Sequence, residues 1–446
     1  MENRERLSSR LGFILLSAGC AIGCGNVWKF PWMTGQYGGG TFVLIYIICL
    51  LILGLPVMTM EFAMGRAAQA SPVRMYHRLQ KPGQKWHIHG YFALFGNVCL
   101  MSFYSVVSGW ILYYFVSFVT GRSAGLGFAS MISDPGINML YMTIVVVLGF
   151  FVVSYNLQGG LERITKVMMV ALLLLMIVLA INSATLPGAK EGLTFYLLPD
   201  LSKINAGVVV AAMNQSFFSL SLGIGAMAIF GSYIDKERSL MSESINVIFL
   251  DSFVAIMAGL IIFPACFTYN VEVGSGPSLL FDTMASVFNN MSGGRFWGSL
   301  FFLFMVFAAM STILAVFENI LACVREMTGW NRRKGCIVCG IGLFLTSTTT
   351  ALGYSVLKFQ PFAEGSAWLD FWDFLVSTNL LPIGSLVFAF FCCNKRYGWG
   401  WDNFVAEANS GKGLKVQPWM KPVFCYVVPC AVILLYITGL IAFPWN

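Results

Sequence analysis

Apolar residues run through this chain in blocks of roughly twenty, separated by short polar or glycine-rich joints. The alternation continues from residue 11 to residue 443. About 20 apolar residues in a helix cross the ~30 Å of hydrocarbon in a bilayer. The pattern therefore predicts eleven spanning helices, at 11–34, 39–64, 92–119, 138–154, 164–183, 206–233, 245–269, 296–323, 336–354, 370–393 and 422–443. Two of these blocks differ from the rest. The first span runs into "GCAIGCGNVWKFPW" (19–32), and the sixth reads "NQSFFSLSLGIGAMAIFGSY" (214–233). Each contains a G-x-G, Gly23-Cys24-Gly25 and Gly223-Ile224-Gly225, among polar residues that a plain spanning helix has no use for.

An unpaired N–H or C=O costs several kcal/mol in hydrocarbon, so unwound backbone persists there only where it lines a cavity or binds something. Single glycines such as Gly12, Gly149 and Gly259 ordinarily let helices pack closely. A glycine-rich break with Asn26 and hydroxyls around it, repeated at the head of two consecutive five-helix units, points to binding instead. A five-helix unit crosses an odd number of times, so the second copy enters from the opposite side, and the two breaks meet near the midplane. Freed carbonyls there suit small hard cations, and freed N–H groups suit an anionic group. The expected organisation is one membrane domain over 1–446, with a first repeat at 11–183, an inverted second repeat at 206–393 and an added helix at 422–443.

Composition agrees. Of 446 residues 58% are hydrophobic and 11% charged, against about 25% charged in soluble domains. The net charge of +7 reads as a topology signal. With the N-terminus in the cytoplasm, 21 of the 27 Lys and Arg fall on the inner side, as the positive-inside rule requires. The C-terminus is then extracytoplasmic, and the expected location is the cell (inner) membrane. No cleavage site follows "MENRERLSSR", so no signal peptide is read. The basic residues are spread over six loops, which excludes a nucleic-acid footprint. The twelve cysteines lie mostly in spans, and "CIVC" (336–339) has no second CxxC or histidine cluster to make a metal site. His77, His87 and His89 are placed in one solvated loop, against haem or quinone chemistry, and there is no P-loop. No enzyme and no organic cofactor are expected.

Five stretches, "RLGFILLSAGCAIGCGNVWKFPW", "YGGGTFVLIYIICLLILGLPVMTMEFAMGR", "LPGAKEGLTFYLLPDLSK", "NQSFFSLSLGIGAM" and "FAAMSTILAVFE", cover the chain in order. They resemble the neurotransmitter:sodium symporter family, in its bacterial branch of leucine and multi-hydrophobic amino-acid transporters. The resemblance implies an all-α membrane protein of the leucine-transporter-like fold, in which the first and sixth helices are broken at the midplane. It implies a sodium-coupled symporter of a neutral, hydrophobic or aromatic amino acid working by alternating access. The alternatives are an amino-acid sensor on the same scaffold and a transporter of an amino-acid-derived amine.

Carried over by position, a first sodium would take Ala21, Asn26, Ser219 and Asp251. A second would take Gly19, Ile22, Ala308, Ser311 and Thr312, where the family more often has the two hydroxyl residues in the other order. All-oxygen shells suit Na⁺. The substrate would lie among Ala21, Gly23, Cys24, Gly25, Leu100, Tyr104, Phe218, Ser219, Ser221, Ile224, Thr312 and Val316, with Tyr104 on its carboxylate and Phe218 as a lid. Monoamine relatives have aspartate at the position of Gly23, so glycine favours an amino acid. Chloride-dependent relatives bind Cl⁻ near the counterparts of Tyr46, Gln215 and Ser219. Here Asp251 would supply that charge, making transport chloride-independent. An outer gate would pair Lys29 with Asp370 beside Tyr104 and Phe218, and an inner one Arg4 with Glu326 near Tyr233 and Ser232. Relatives often carry proline where this chain has Val170, so a release route through unwinding of the fifth helix loses its usual hinge. The partners implied are the substrate, sodium and the lipid bilayer, with no nucleic acid; the oligomeric state is not given by the sequence.

Overall fold

The computed structural model describes residues 6–271 and 278–442. Among the described residues the regular structure is helical, and nine helices are long and apolar enough to cross a membrane: Gly40–Ala68, His87–Thr120, Pro135–Ser154, Leu157–Ala184, Leu240–Tyr269, Gly294–Thr328, Arg332–Ala351, Trp368–Cys393 and Pro418–Ile441. A tenth is the pair Arg10–Ala21 and Gly25–Gln36, bent by 56° at its joint. The remaining expected span, 206–233, is divided into Ala206–Ser219 and Ala226–Gly231, each too short to cross alone. The sixth span is therefore present as two helices separated over residues 220–225.

The first, second, third, sixth, seventh and eighth spans supply most of the buried residues, with the third and eighth lying along each other. The fourth, fifth, ninth and eleventh keep long apolar faces turned outward, among them Val147, Leu174, Ile337 and Ile441. The breaks lie deep inside this inner group. One expectation for the loops is corrected. His89 does not sit in a solvated loop, because the third span begins at His87, and His89 is buried with Nδ1 2.9 Å from the Tyr76 hydroxyl.

At the basic end, the segment before the first span is tied down by polar contacts. Arg6 pairs with Asp235 at 2.7 Å and Arg10 with Glu243 at 2.9 Å. The Ser8 N–H and hydroxyl donate to Glu162 at 2.8 and 2.7 Å. The side chains of Glu162 and Glu243 are buried beneath this segment. Nearby, Glu407 accepts from Arg66 at 2.6 Å and Lys236 at 2.8 Å, which fixes the loop helix Trp401–Ala408 to the end of the second span.

Candidate functional site

The first break begins where Ile22 turns extended (φ −70°, ψ 99°) after the helix Arg10–Ala21. The Asn26 side chain holds the turn, since its Oδ1 accepts the Gly23 N–H at 3.3 Å. The Cys24 N–H donates to the Tyr104 hydroxyl at 2.9 Å. A side chain at Gly23 would have no room: its Cβ would run into the Tyr104 hydroxyl and lie 2.7 Å from Thr312 Oγ1. A wide turn over Gly25–Lys29 then leads into Phe30–Gln36.

The sixth span breaks over residues 220–225. Gly223 (φ 98°) and Gly225 (φ 69°) adopt left-handed backbone that glycine tolerates, and Ser221 (φ 51°) does so without that freedom. Such strain at one spot is characteristic of functional breaks. A buried acid answers the freed N–H groups: Glu61 accepts from Gly223 at 2.6 Å and from Met227 at 3.2 Å. Asn97 answers a freed carbonyl, donating to Ile224 at 2.8 Å. Both were missed in the sequence. The signal for Glu61 was there, an acid inside an apolar span being costly and therefore functional by default. The tenth span approaches so closely that a Cβ at Gly384 would lie 2.6 Å from the Gly223 carbonyl carbon.

Two oxygen-rich clusters flank the breaks. In one, Asn26 Nδ2 donates to Asp251 Oδ1 at 2.8 Å and to the Asp251 carbonyl at 3.1 Å. The Tyr46 hydroxyl lies 2.9 Å from Ser219 Oγ and 3.4 Å from Asp251 Oδ2, and Gln215 donates to the Gly25 carbonyl at 3.1 Å. Asn26, Ser219, Asp251, Tyr46 and Gln215, which lie on four spans, thus converge, all of them buried. In the other, Thr312 Oγ1 lies 3.2, 3.1 and 3.4 Å from the carbonyls of Gly19, Ile22 and Ala308. Ser311 Oγ donates to Ala308 at 2.9 Å. This donor set is oxygen alone, as a hard cation requires.

Between the clusters lies a cavity lined by Ala21, Gly23, Gly25, Leu100, Tyr104, Phe218, Ser219, Ser221, Ile224 and Thr312. Cys20, Val376 and Leu381 join them, the last two from the tenth span. Of the residues expected on the substrate, Cys24 contributes its N–H to Tyr104 and Val316 is buried outside the lining.

The gates differ from expectation. Lys29 does not pair with Asp370; its ammonium sits 3.9 Å from the centroid of the Phe218 ring. The reason is local. Lys29 ends the wide turn that starts at Gly25, and a Cβ on Gly25 would lie 2.9 Å from that same ring, so the ring is the surface under the lysine. Asp370 accepts the Ala367 N–H at 2.7 Å and caps the start of its own helix. Arg4 lies outside the described residues. Glu326 accepts from Ser71 Oγ at 2.7 Å, Tyr233 donates to Glu318 at 3.0 Å, and Ser232 to the Ile229 carbonyl at 2.6 Å. A double-mutant cycle distinguishes the two outer arrangements. Lys29→Gln and Phe218→Leu should couple by about 0.5–1 kcal/mol, as a cation over a ring does, read as non-additive Tm shifts in detergent. Coupling of Lys29 to Asp370 instead would restore the ion pair.

A profile of the Sodium:neurotransmitter symporter family matches residues 4–126 and 121–445. The chain is 32% identical over 449 residues to an uncharacterized sodium-dependent transporter, YhdH, of Bacillus subtilis (strain 168), covering 98% of each chain. It is 24% identical over 499 residues to the sodium- and chloride-dependent GABA transporter 2 of Bos taurus, covering 99% of this chain and 80% of that one. Among solved structures, MhsT in complex with L-phenylalanine matches with a TM-score of 0.88 at 32% identity, covering 98% of this chain and 100% of that one.

Proposed function

The chain belongs to the sodium:neurotransmitter symporter family, a family of sodium-dependent membrane transporters and not of enzymes, and from that premise we propose that it carries a neutral, hydrophobic or aromatic amino acid together with sodium by alternating access. The observation that carries this reading is the junction of the two breaks. On one side a backbone N–H (Cys24) and a phenol (Tyr104) meet, and on the other Leu100, Ile224, Val376 and Leu381 offer an apolar wall. A carboxylate fits the first side and an apolar side chain the second. The bound L-phenylalanine of MhsT supports the same class of solute.

The substrate carboxylate would sit beside a first sodium among Ala21, Asn26, Ser219 and Asp251. A second sodium would take the Gly19, Ile22 and Ala308 carbonyls with Ser311 and Thr312. Asp251 brings the negative charge that a chloride would otherwise supply, so transport is expected to be chloride-independent. Phe218, with Lys29 over it, would close the outer side, and the N-terminal segment with Glu326 the inner. The charge bias orients the basic end, and with it the N-terminus, to the cytoplasm.

Labelled phenylalanine counterflow in proteoliposomes tests the proposal. Uptake in sodium should exceed uptake in choline by at least about tenfold, the loss that ~1.4 kcal/mol of missing ion coupling brings. Equal uptake in the two buffers would remove sodium coupling. Sodium-dependent binding without counterflow would leave the sensor.

A further inference from the structure

The fourth span, Pro135–Ser154, and the ninth, Arg332–Ala351, leave a groove between them on the outer surface of the bundle. It encloses about 540 Å³, inside the range of ordinary ligand pockets, about 300–1,000 Å³. Phe150, stacked on Phe317 with centroids 4.2 Å apart, forms its floor together with Cys336. Gly340 keeps it deep, since even a Cβ there would lie 3.3 Å from the Phe150 ring. Val147, Phe151, Ile337 and Ile341 form its rims and are exposed.

The polar groups gather at the basic end. Three cations, Arg332, Arg333 and Lys334, occupy the first turn of the ninth span, where the helix's own dipole is already positive and an anion is favoured. Arg332 is engaged with Glu318 and the Val153 carbonyl. Lys334 sits 4.6 Å over the Trp330 ring. Arg333 lines the groove and has no hydrogen-bond or ion-pair partner among the described residues.

We propose that this groove binds one anionic glycerophospholipid from the leaflet at the basic end, its acyl chain over Val147, Phe151, Ile337 and Ile341 and its phosphate on Arg333. An apolar slot ending in one uncompensated cation is complementary to a lipid of that leaflet, where basic pockets between spans take anionic headgroups. A second copy of this chain fits less well. A two-fold contact would bring each basic end against its own image, setting like charges face to face.

The test is native mass spectrometry of the full-length protein released from nanodiscs of equal POPC and POPG. Wild type should retain one POPG in preference to POPC by about fivefold, the scale of one basic side chain near an anionic surface. Arg333→Gln should bring the two lipids to parity. Ile337→Trp, at a position 63% exposed, should fill the slot and reduce retention of both lipids. Monodisperse elution and an unchanged Tm establish that each variant is folded. Three outcomes overturn the proposal: an unaltered POPG preference in Arg333→Gln, lipid retention indifferent to Ile337→Trp, or a wild-type dimer that emerges without lipid.

Discussion

Asp251→Asn is expected to raise the sodium concentration needed for half-maximal uptake by roughly a thousandfold. A unit charge ~4 Å from sodium at an effective dielectric near 20 contributes about 4 kcal/mol, and asparagine removes it. Geometry makes the loss worse. Asn26 donates to one oxygen of Asp251 and Tyr46 reaches toward the other. An amide at 251 would turn its own NH₂ toward one of these two donors. The chloride arm of the experiment is separate. Wild-type uptake should be unchanged when gluconate replaces chloride, whereas Asp251→Ser should recover part of its activity only with chloride present. Labelled sodium binding and phenylalanine uptake read both arms. Wild-type uptake that collapses in gluconate, or an Asp251→Asn protein with normal sodium dependence, would overturn the role given to this carboxylate.

Gly23→Asp should abolish amino-acid uptake, with an apparent affinity loss on the order of a thousandfold or more. The structure separates two causes. Any Cβ at this position displaces the Tyr104 hydroxyl, which would uncouple it from the Cys24 N–H. Gly23→Ala should therefore already weaken uptake by up to about tenfold, the upper value of one neutral hydrogen bond. The aspartate adds a carboxylate facing the substrate's own, worth about 4 kcal/mol of repulsion at ~4 Å. Competition by phenethylamine discriminates the remaining alternative. An amine should compete poorly with phenylalanine on the wild type and gain on Gly23→Asp. Phenylalanine transport of wild-type affinity in Gly23→Asp would place the substrate carboxylate elsewhere.

What could be read from the sequence was whatever disturbs an apolar run. Glycines at 23, 25, 223 and 225 and the polar residues beside them mark the two breaks, because a spanning helix gains nothing from them. Helix ends were less legible: the fifth span, expected from 164, begins at Leu157, and the third, expected from 92, begins at His87. The break in the sixth span was legible from its glycines, but the left-handed backbone of Ser221 was not, because a serine carries no signal of positive φ. Val376 and Leu381 look like any other span residues, and only the close approach of Gly384 to Gly223 brings them to the cavity. Glu61 went unread although it is an acid within an apolar span, and its partners are backbone N–H groups, which no side-chain pattern records. The Lys29–Asp370 pairing fails for a related reason. Opposite charges on neighbouring helix ends suggest a pair, yet each finds a nearer partner, an aromatic ring in one case and its own helix start in the other.

The segment Arg6–Arg10 covers Glu162 and Glu243, two carboxylates with almost no solvent contact. A carboxylate stripped of its partners but left dry is unsustainable. If the segment swings away, Glu162 keeps Lys166 at 2.6 Å one turn along its own helix, whereas Glu243 loses Arg10 and must be reached by water in the same event. On the proposed alternating-access cycle, opening of the basic end would be a wetting transition, seeded by the residues that hold it shut. Exchanging Glu162 and Glu243 for apolar side chains would leave a crevice that parts more easily but fills with water more reluctantly, so that the rate of hydration rather than the strength of the seal would govern how fast cargo leaves.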